Sequence, residues 1–153
     1  MKFTILVLAT AFAFTTSAAF ADDDEGENFT MATNAKWKEE CGSCHITYPP
    51  RLLPTESWAA IMTSLDKHFG ADASIDDAAN QEISRFLASN SKPLGLPNPP
   101  LRITEREWFK HEHEEVGAAV WKRKSVGSPA NCSACHQHAA DLNYDEDAIT
   151  IPK

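Results

Sequence analysis

Beyond its first two dozen residues the sequence contains no long apolar run, no methionine after Met62 and only one basic cluster, Lys122-Arg123-Lys124. Its one long apolar run, Phe3 to Phe14, is well short of the roughly 20 residues a membrane-spanning helix needs, so the chain is not expected to span a membrane. Cationic side chains are scarce throughout: 14 Lys and Arg stand against 22 Asp and Glu, a formal net charge of −8. That balance makes nucleic acid a poor partner and favours basic ones at long range, although acidity also serves simply to keep an exported protein dissolved. Cysteine is scarce too, with four residues in two pairs and none left over. Large apolar residues are thin in either half, so neither half has much core of its own.

What is present is organised around two short stretches, Cys41-Gly-Ser-Cys44-His45 and Cys132-Ser-Ala-Cys135-His136. Each is a C-x-x-C-H, the pattern that attaches a c-type haem covalently. On a helical turn, positions i, i+3 and i+4 lie along one face, so two thiols meet the vinyl groups of one porphyrin edge while the adjacent imidazole reaches the iron. The motif carries both the tether and the proximal ligand. Zinc sites and thiol oxidoreductases also use C-x-x-C. The stretch from Cys44 to Cys132 is far longer than the loop of a zinc ribbon, each pair runs straight into a histidine, and the strand-then-helix setting of a thioredoxin-like motif is missing. Two covalently bound haems account for every cysteine.

The first stretch reads as a leader. Lys2 supplies the positive start, Phe3 to Phe14 the apolar run, and Ala19-Phe20-Ala21 an A-x-A cleavage site, so residues 1–21 are a signal peptide and the mature chain starts at Asp22. Export combined with c-type haem points to a bacterial periplasm. Removing 21 residues from 153 leaves 132, and losing Lys2 takes the charge to −9. That length suits one compact domain or two small lobes. Ser91-Lys-Pro93-Leu-Gly-Leu-Pro97-Asn-Pro99-Pro100 is a semi-rigid connector. It divides the chain into a first haem lobe at 22–92 and a second at 93–153.

Taken in order, Asp22 to Glu27 is a solvated acidic tail. Thr33 or Asn34 caps a short helix through Trp37 into Cys41. Tyr48-Pro-Pro-Arg51-Leu-Leu-Pro54 excludes a regular helix and reads as a haem-wrapping loop, in which Tyr48 and Arg51 are candidates to hydrogen-bond a propionate. The spacing predicts a helix from Thr55 as N-cap to Phe69, stopped by Gly70, with His68 on the buried stripe of Trp58, Ile61, Met62 and Leu65. Ser74 and Asp77 read as the capping box of a helix ending near Asn90, with Ile75, Ala79, Ile83, Phe86 and Leu87 inward. Thr104 and Glu107 form another, opening a helix in which Phe109, His113, Val116 and Val120 share an apolar face while His111 shares its side with Glu107 and Glu115. Ser128-Pro129 starts a new turn carrying Cys132 to His136. Ile149 and Ile151 alternate as an extended segment that tucks back. Lys122-Arg123-Lys124 reads as a solvated face or helix-end complement, with a docking patch as the alternative.

An electron-transfer haem needs a second axial ligand, His or Met. For the second haem, His138 is two residues from His136 and cannot reach the opposite face, and no methionine lies near, so the ligand comes from upstream and His113 is the choice. For the first, His68 competes with Met62, which is more simply core packing, and with Met31. Two bis-histidine haems result, with irons held by His45 and His68 and by His113 and His136. Their potentials should be lower than that of a Met/His cytochrome.

These elements also resemble a known group. Trp37-Lys-Glu-Glu-Cys-Gly-Ser-Cys-His45, Tyr48-Pro-Pro-Arg-Leu-Leu-Pro54, Ser57-Trp58, His68-Phe-Gly-Ala-Asp-Ala-Ser74, Arg102-Ile-Thr104, Trp108-Phe-Lys-His-Glu-His113 and Asn131-Cys-Ser-Ala-Cys-His136 are similar to segments of the small periplasmic dihaem cytochromes c. The resemblance implies a mostly α protein of two small helical haem lobes, the first similar to class I cytochrome c, joined by the Pro-rich connector. It implies bis-histidine ligation, with distal histidines at His68 and His113. It also implies electron exchange with other periplasmic cytochromes or a membrane b-type cytochrome. His111 departs from the pattern, which leaves a ligand swap within that helix open, and His138 has no role in it. The expected function is a one-electron carrier rather than an enzyme. The alternative is a haem enzyme or gas sensor with one displaceable axial ligand, against which six histidines can saturate both irons and leave two spare.

Overall fold

The computed structural model describes residues 33–153. The expected signal peptide, the acidic tail and Met31 lie outside the described residues. Among those residues the chain is mostly helical with no strand, and its β pairing is limited to the isolated antiparallel bridges His68–Ala71 and His136–Ile149. The α-helices are α1 (Ala35–Cys41), α2 (Thr55–Met62), α3 (Asp77–Ser89), α4 (Glu107–Glu112) and α5 (Ala118–Trp121). Short 3-10 turns connect them.

Asn34 is the cap of α1, its side-chain oxygen accepting the Trp37 N–H at 2.7 Å. The same side chain donates to Glu82 at 2.9 Å, tying the start of α1 to α3. Helix α3 packs against both α1 and α2. Its buried positions are Ala79, Ile83 and Leu87, spaced i, i+4 and i+8, with Ile83 fully buried. Each such aliphatic side chain removed from water contributes about 1.5–3 kcal/mol. Trp37, 1% exposed, sits at the centre with its ring 5.0 Å from Phe86.

Four sequence expectations shift. Helix α2 stops at Met62 rather than Phe69, with Pro54 and not Thr55 in the capping position. The Thr63 and Ser64 hydroxyls both donate to the Ala60 carbonyl at 2.9 Å, and Asn80 Nδ2 takes the Met62 carbonyl at 3.0 Å, so side chains occupy acceptors that a continuing helix would use. The cap of α3 is Asp76, which accepts from Ala79 N–H, while Ser74 N–H turns back to Asp72. Helix α4 ends at Glu112 with His113 in the cap position, and Arg106, not Thr104, precedes it without a side-chain cap bond. The second motif turn follows Asn131 rather than Ser128, again without a side-chain cap bond.

The connector is held on the surface of α2. Glu56 accepts from the N–H groups of Gly95 (2.8 Å) and Leu94 (3.3 Å), and Ser57 Oγ donates to the Pro100 carbonyl at 2.7 Å. Arg106 then reaches back to the Leu52 carbonyl at 2.9 Å. One buried cluster contains Trp37, Leu52, Met62, Ile83 and Leu87 together with Leu142 from the far end of the chain.

Candidate haem centres

The first C-x-x-C-H begins in the last residue of α1 and turns out of it. Gly42 N–H still bonds the Lys38 carbonyl, and a Cβ at Gly42 would collide with that carbonyl, so the x position after Cys41 is restricted to glycine. His45 follows, and its Nδ1–H donates to the Ile46 carbonyl at 2.6 Å. A carbonyl only accepts, so this bond puts the proton on Nδ1 and leaves Nε2 with a free lone pair, the form a metal takes. The ring stacks on Tyr48 at 4.8 Å, and its centre lies 6.2 Å from that of His68.

His68 arrives there on a turn rather than a helix. After a 3-10 turn at Leu65–Lys67, Phe69 and Gly70 both take positive φ (51° and 103°), and Ala71 N–H closes back on the His68 carbonyl at 3.0 Å. Two successive positive φ values are the pattern of a tight hairpin turn, which glycine adopts freely and a bulky aromatic only under constraint. The His-Phe-Gly element therefore fixes the approach of the His68 ring. Burial, followed by the nearby His45 and Arg102, holds the His68 ring below the usual histidine range, favouring its neutral form.

Both rings line a cavity of about 570 Å³, together with Trp37, Cys41, Cys44, Trp58 and Met62, and with Cys132 of the second motif. That volume is within the roughly 300–1,000 Å³ range of cofactor sites. Metal–nitrogen bonds of about 2 Å, with about 1.1 Å from ring nitrogen to ring centre at either end, put two imidazole centres on one metal about 6 Å apart. The first pair fits that span.

The second site repeats the spacing with different surroundings. The motif forms a 3-10 turn over Cys132–Ala134, and His136 N–H bonds the Cys132 carbonyl at 2.8 Å. The His136 ring centre is 6.1 Å from that of His113 and 5.3 Å from Tyr144. His113 stacks on Phe109 at 4.1 Å, donates from Nδ1 to the Phe109 carbonyl at 2.9 Å, and has Trp121 at 5.9 Å. Its Nε2 is thereby left for ligation, as in His45. Burial and then His113 lower the affinity of His136 for a proton, and its Nδ1 is buried without a hydrogen-bond partner. The tail closes this side, with Ile149 bridging His136 and Thr150 N–H bonding the Cys135 carbonyl at 3.0 Å. Ile149 and Ile151 stay exposed, so the tail pairs through its backbone rather than burying its side chains.

The first thiol of each motif is held away from the thiolate form. Burial, with Glu40 beside it, pushes the Cys41 thiol up to about 11, and burial pushes Cys132 up to about 11. A thiol–disulfide enzyme needs the opposite shift, toward thiolate. All four cysteines are unpaired, and among the described residues no three His, Cys, Asp or Glu side chains converge as metal ligands.

A family model described as dihaem cytochrome c matches residues 37–144. The chain belongs to the dihaem cytochrome c family. Among solved structures it is similar to a dihaem cytochrome c from Shewanella baltica OS155, at 36% identity and a TM-score of 0.70 over 80% of this chain and 95% of that one. It is also similar to the dihaem cytochrome c purified from Rhodobacter sphaeroides, at 39% identity and a TM-score of 0.66 over 74% of this chain and 98% of that one. No curated protein matches the chain. Membership brings two covalently bound c-type haems with their irons and an electron-transfer cytochrome as the general class. No helix among the described residues is long and apolar enough to cross a membrane.

The remaining sequence candidates fall outside the histidine pairs. Tyr48 lines the first cavity, and its hydroxyl donates to the Ala130 carbonyl at 2.7 Å, across 82 residues of sequence. Arg51 is exposed on the Pro50–Leu52 turn and does not line that cavity. His111 is exposed beside Glu114 at 3.6 Å, and His138 is exposed at the start of the Ala139–Asp141 turn. Arg123 donates to the Pro152 carbonyl at 2.6 Å, so the basic cluster is partly used in holding the tail. Sequence reasoning missed Tyr144 and Arg102. Tyr144 is one of only two tyrosines, but nothing near it in sequence ties it to His136.

Proposed function

We propose that the chain is an exported, periplasmic one-electron carrier with two closed bis-histidine haems, and not an enzyme. Cys41 and Cys44 tether the first haem and Cys132 and Cys135 the second. His45 with His68, and His136 with His113, hold the irons. The observation that carries this reading is the pairing itself: each motif histidine has a second imidazole with its centre just over 6 Å away. When bound, the haem supplies the change of iron oxidation state, and the protein's part is to keep the coordination unchanged while that happens. The Nδ1–H bonds of His45 and His113 hold their rings in the ligating tautomer, and the aromatic neighbours limit their rotation.

Residues 1–21 then serve as the leader, with 22–92 and 93–153 as the two haem lobes. Other periplasmic cytochromes or a membrane b-type cytochrome are the partners, met by an acidic surface. The test is the optical spectrum of the exported protein, oxidised and reduced, with and without carbon monoxide. The expected result is two covalent haems, both low-spin, neither binding carbon monoxide rapidly. Rapid binding at either haem favours the enzyme or gas-sensor reading, and a Met–iron charge-transfer band removes bis-histidine ligation.

A further inference from the structure

We propose that Arg102 holds a propionate carboxylate of the first haem and raises that haem's reduction potential. This rests on the proposed ligation of the first haem by His45 and His68. Among the described residues lining the first cavity Arg102 is the only arginine or lysine, while Glu40 and Asp72 line it as acids. A haem brings two carboxylates. Placed against Glu40 or Asp72 they meet like charge, and placed at Arg102 they meet a guanidinium whose planar fork matches a carboxylate.

Arg102 is also held in position. Its guanidinium carbon lies 4.1 Å from the centre of the Phe69 ring, and that ring stands edge-on to His68 at 4.8 Å. The constrained Phe69 backbone thus sets the cation beside the distal histidine, with the cation–π contact as the guide. Two anchors flank it in sequence: the Ser57 bond to the Pro100 carbonyl and the Arg106 bond to the Leu52 carbonyl. The cation therefore crosses from the far side of the connector to serve the first haem. Glu105, 3.8 Å from Arg102 Nε, takes one edge of the guanidinium, and the half-exposed remainder of the side chain is available to the haem carboxylate. Arg51 does not line the cavity.

A cation fixed on a propionate cancels a negative charge that otherwise stabilises ferric iron, so its loss makes the first haem harder to reduce. The experiment is a potentiometric titration of the full-length dihaem protein and of Arg102→Gln, Arg102→Lys and Arg51→Gln. In Arg102→Gln one of the two reduction waves should move to lower potential by about a threefold change in equilibrium constant, about 28 mV at 59 mV per tenfold. The other wave should stay in place. Arg102→Lys, which keeps the charge and loses the fork, should move the same wave by less. Arg51→Gln should leave both waves unchanged.

Unmoved waves in both Arg102 variants would overturn the proposal. So would equal movement of both waves, which a change in overall charge alone produces, or the same shift from Arg51→Gln. Failure of the ligation itself shows differently, as missing covalent haem or rapid carbon monoxide binding in the unsubstituted protein.

Discussion

Replacing His113 and His111 one at a time separates the proposed ligand, at the C-cap of α4, from a bystander in the helix's last turn. His113 is half-buried, stacked on Phe109 and bonded to the Phe109 carbonyl, whereas the His111 side chain is 75% exposed with only Glu114 nearby. An aromatic pair is worth about 0.5–1.5 kcal/mol and a hydrogen bond about 0.5–1.5 kcal/mol. His113→Ala should therefore cost about 1–3 kcal/mol before any loss of iron ligation. At this chain length 1 kcal/mol moves the melting midpoint by about 4 °C. His111→Ala should stay within about 0.5 kcal/mol. The assay pairs a thermal melt with the reduced optical spectrum under carbon monoxide. His113→Ala should lower the midpoint and open one haem to carbon monoxide, with the other remaining low-spin. His111→Ala should change neither reading. Carbon monoxide binding in His111→Ala but not in His113→Ala would move the ligand to position 111 and refute the assignment drawn from the ring geometry.

Two further substitutions test what holds the centres in place. Tyr48→Phe removes the bond to the Ala130 carbonyl but keeps the ring on His45; it should cost about 0.5–1 kcal/mol in urea unfolding, the low end because Ala130 is exposed and water replaces the donor. A spectral change accompanying that loss would mean that the hydroxyl, and not only the ring, acts on the first haem. Glu56 is held below the usual carboxylate range by hydrogen bonds from its own backbone N–H and those of Gly95 and Leu94. Because its folded value lies below its unfolded one, its stabilisation is present above the unfolded value and lost as pH falls through the folded one. Glu56→Gln should thus lower stability at neutral pH more than in acid, measured by urea unfolding at about pH 7 and about pH 3, and an equal loss at both would contradict it.

Where a local chemical rule governed, the sequence was legible. Asn34 capping α1 and the buried stripe Ala79, Ile83 and Leu87 of α3 appear as read, and no helix or strand crosses the prolines between 93 and 100. The helices carrying the distal candidates were overextended, because hydrophobic periodicity continues through residues whose side chains interrupt the backbone ladder. Thr63 and Ser64 do this after α2. After α4, turns from His113 to Val116 and a fresh start at Gly117 divide the expected Phe109-to-Val120 face. His68 and His113 nevertheless stand opposite the motif histidines. For His113 the reason is one i, i+4 contact with Phe109, which needs only the last turn of a helix. For His68 it is the Phe69-Gly70 turn, whose positive φ at an aromatic residue has no hydrophobic-pattern signature.

The two centres are also built across one another, a contact no sequence periodicity encodes. The first cavity takes Arg102 from beyond the connector and Cys132 from the second motif, while Tyr48 bonds the segment just before that motif. In return Leu142, six residues past His136, packs into the cluster around Trp37. Burial in this region also reaches both tyrosines: desolvation is the main cause that pushes Tyr48 up to about 12 and raises Tyr144 as well. Pro129, Ala130 and Cys132 together form an apolar stretch of the first cavity's wall, contributed by the second motif and the segment before it. In the carrier role proposed above, the residues at this junction come from both ends of the chain.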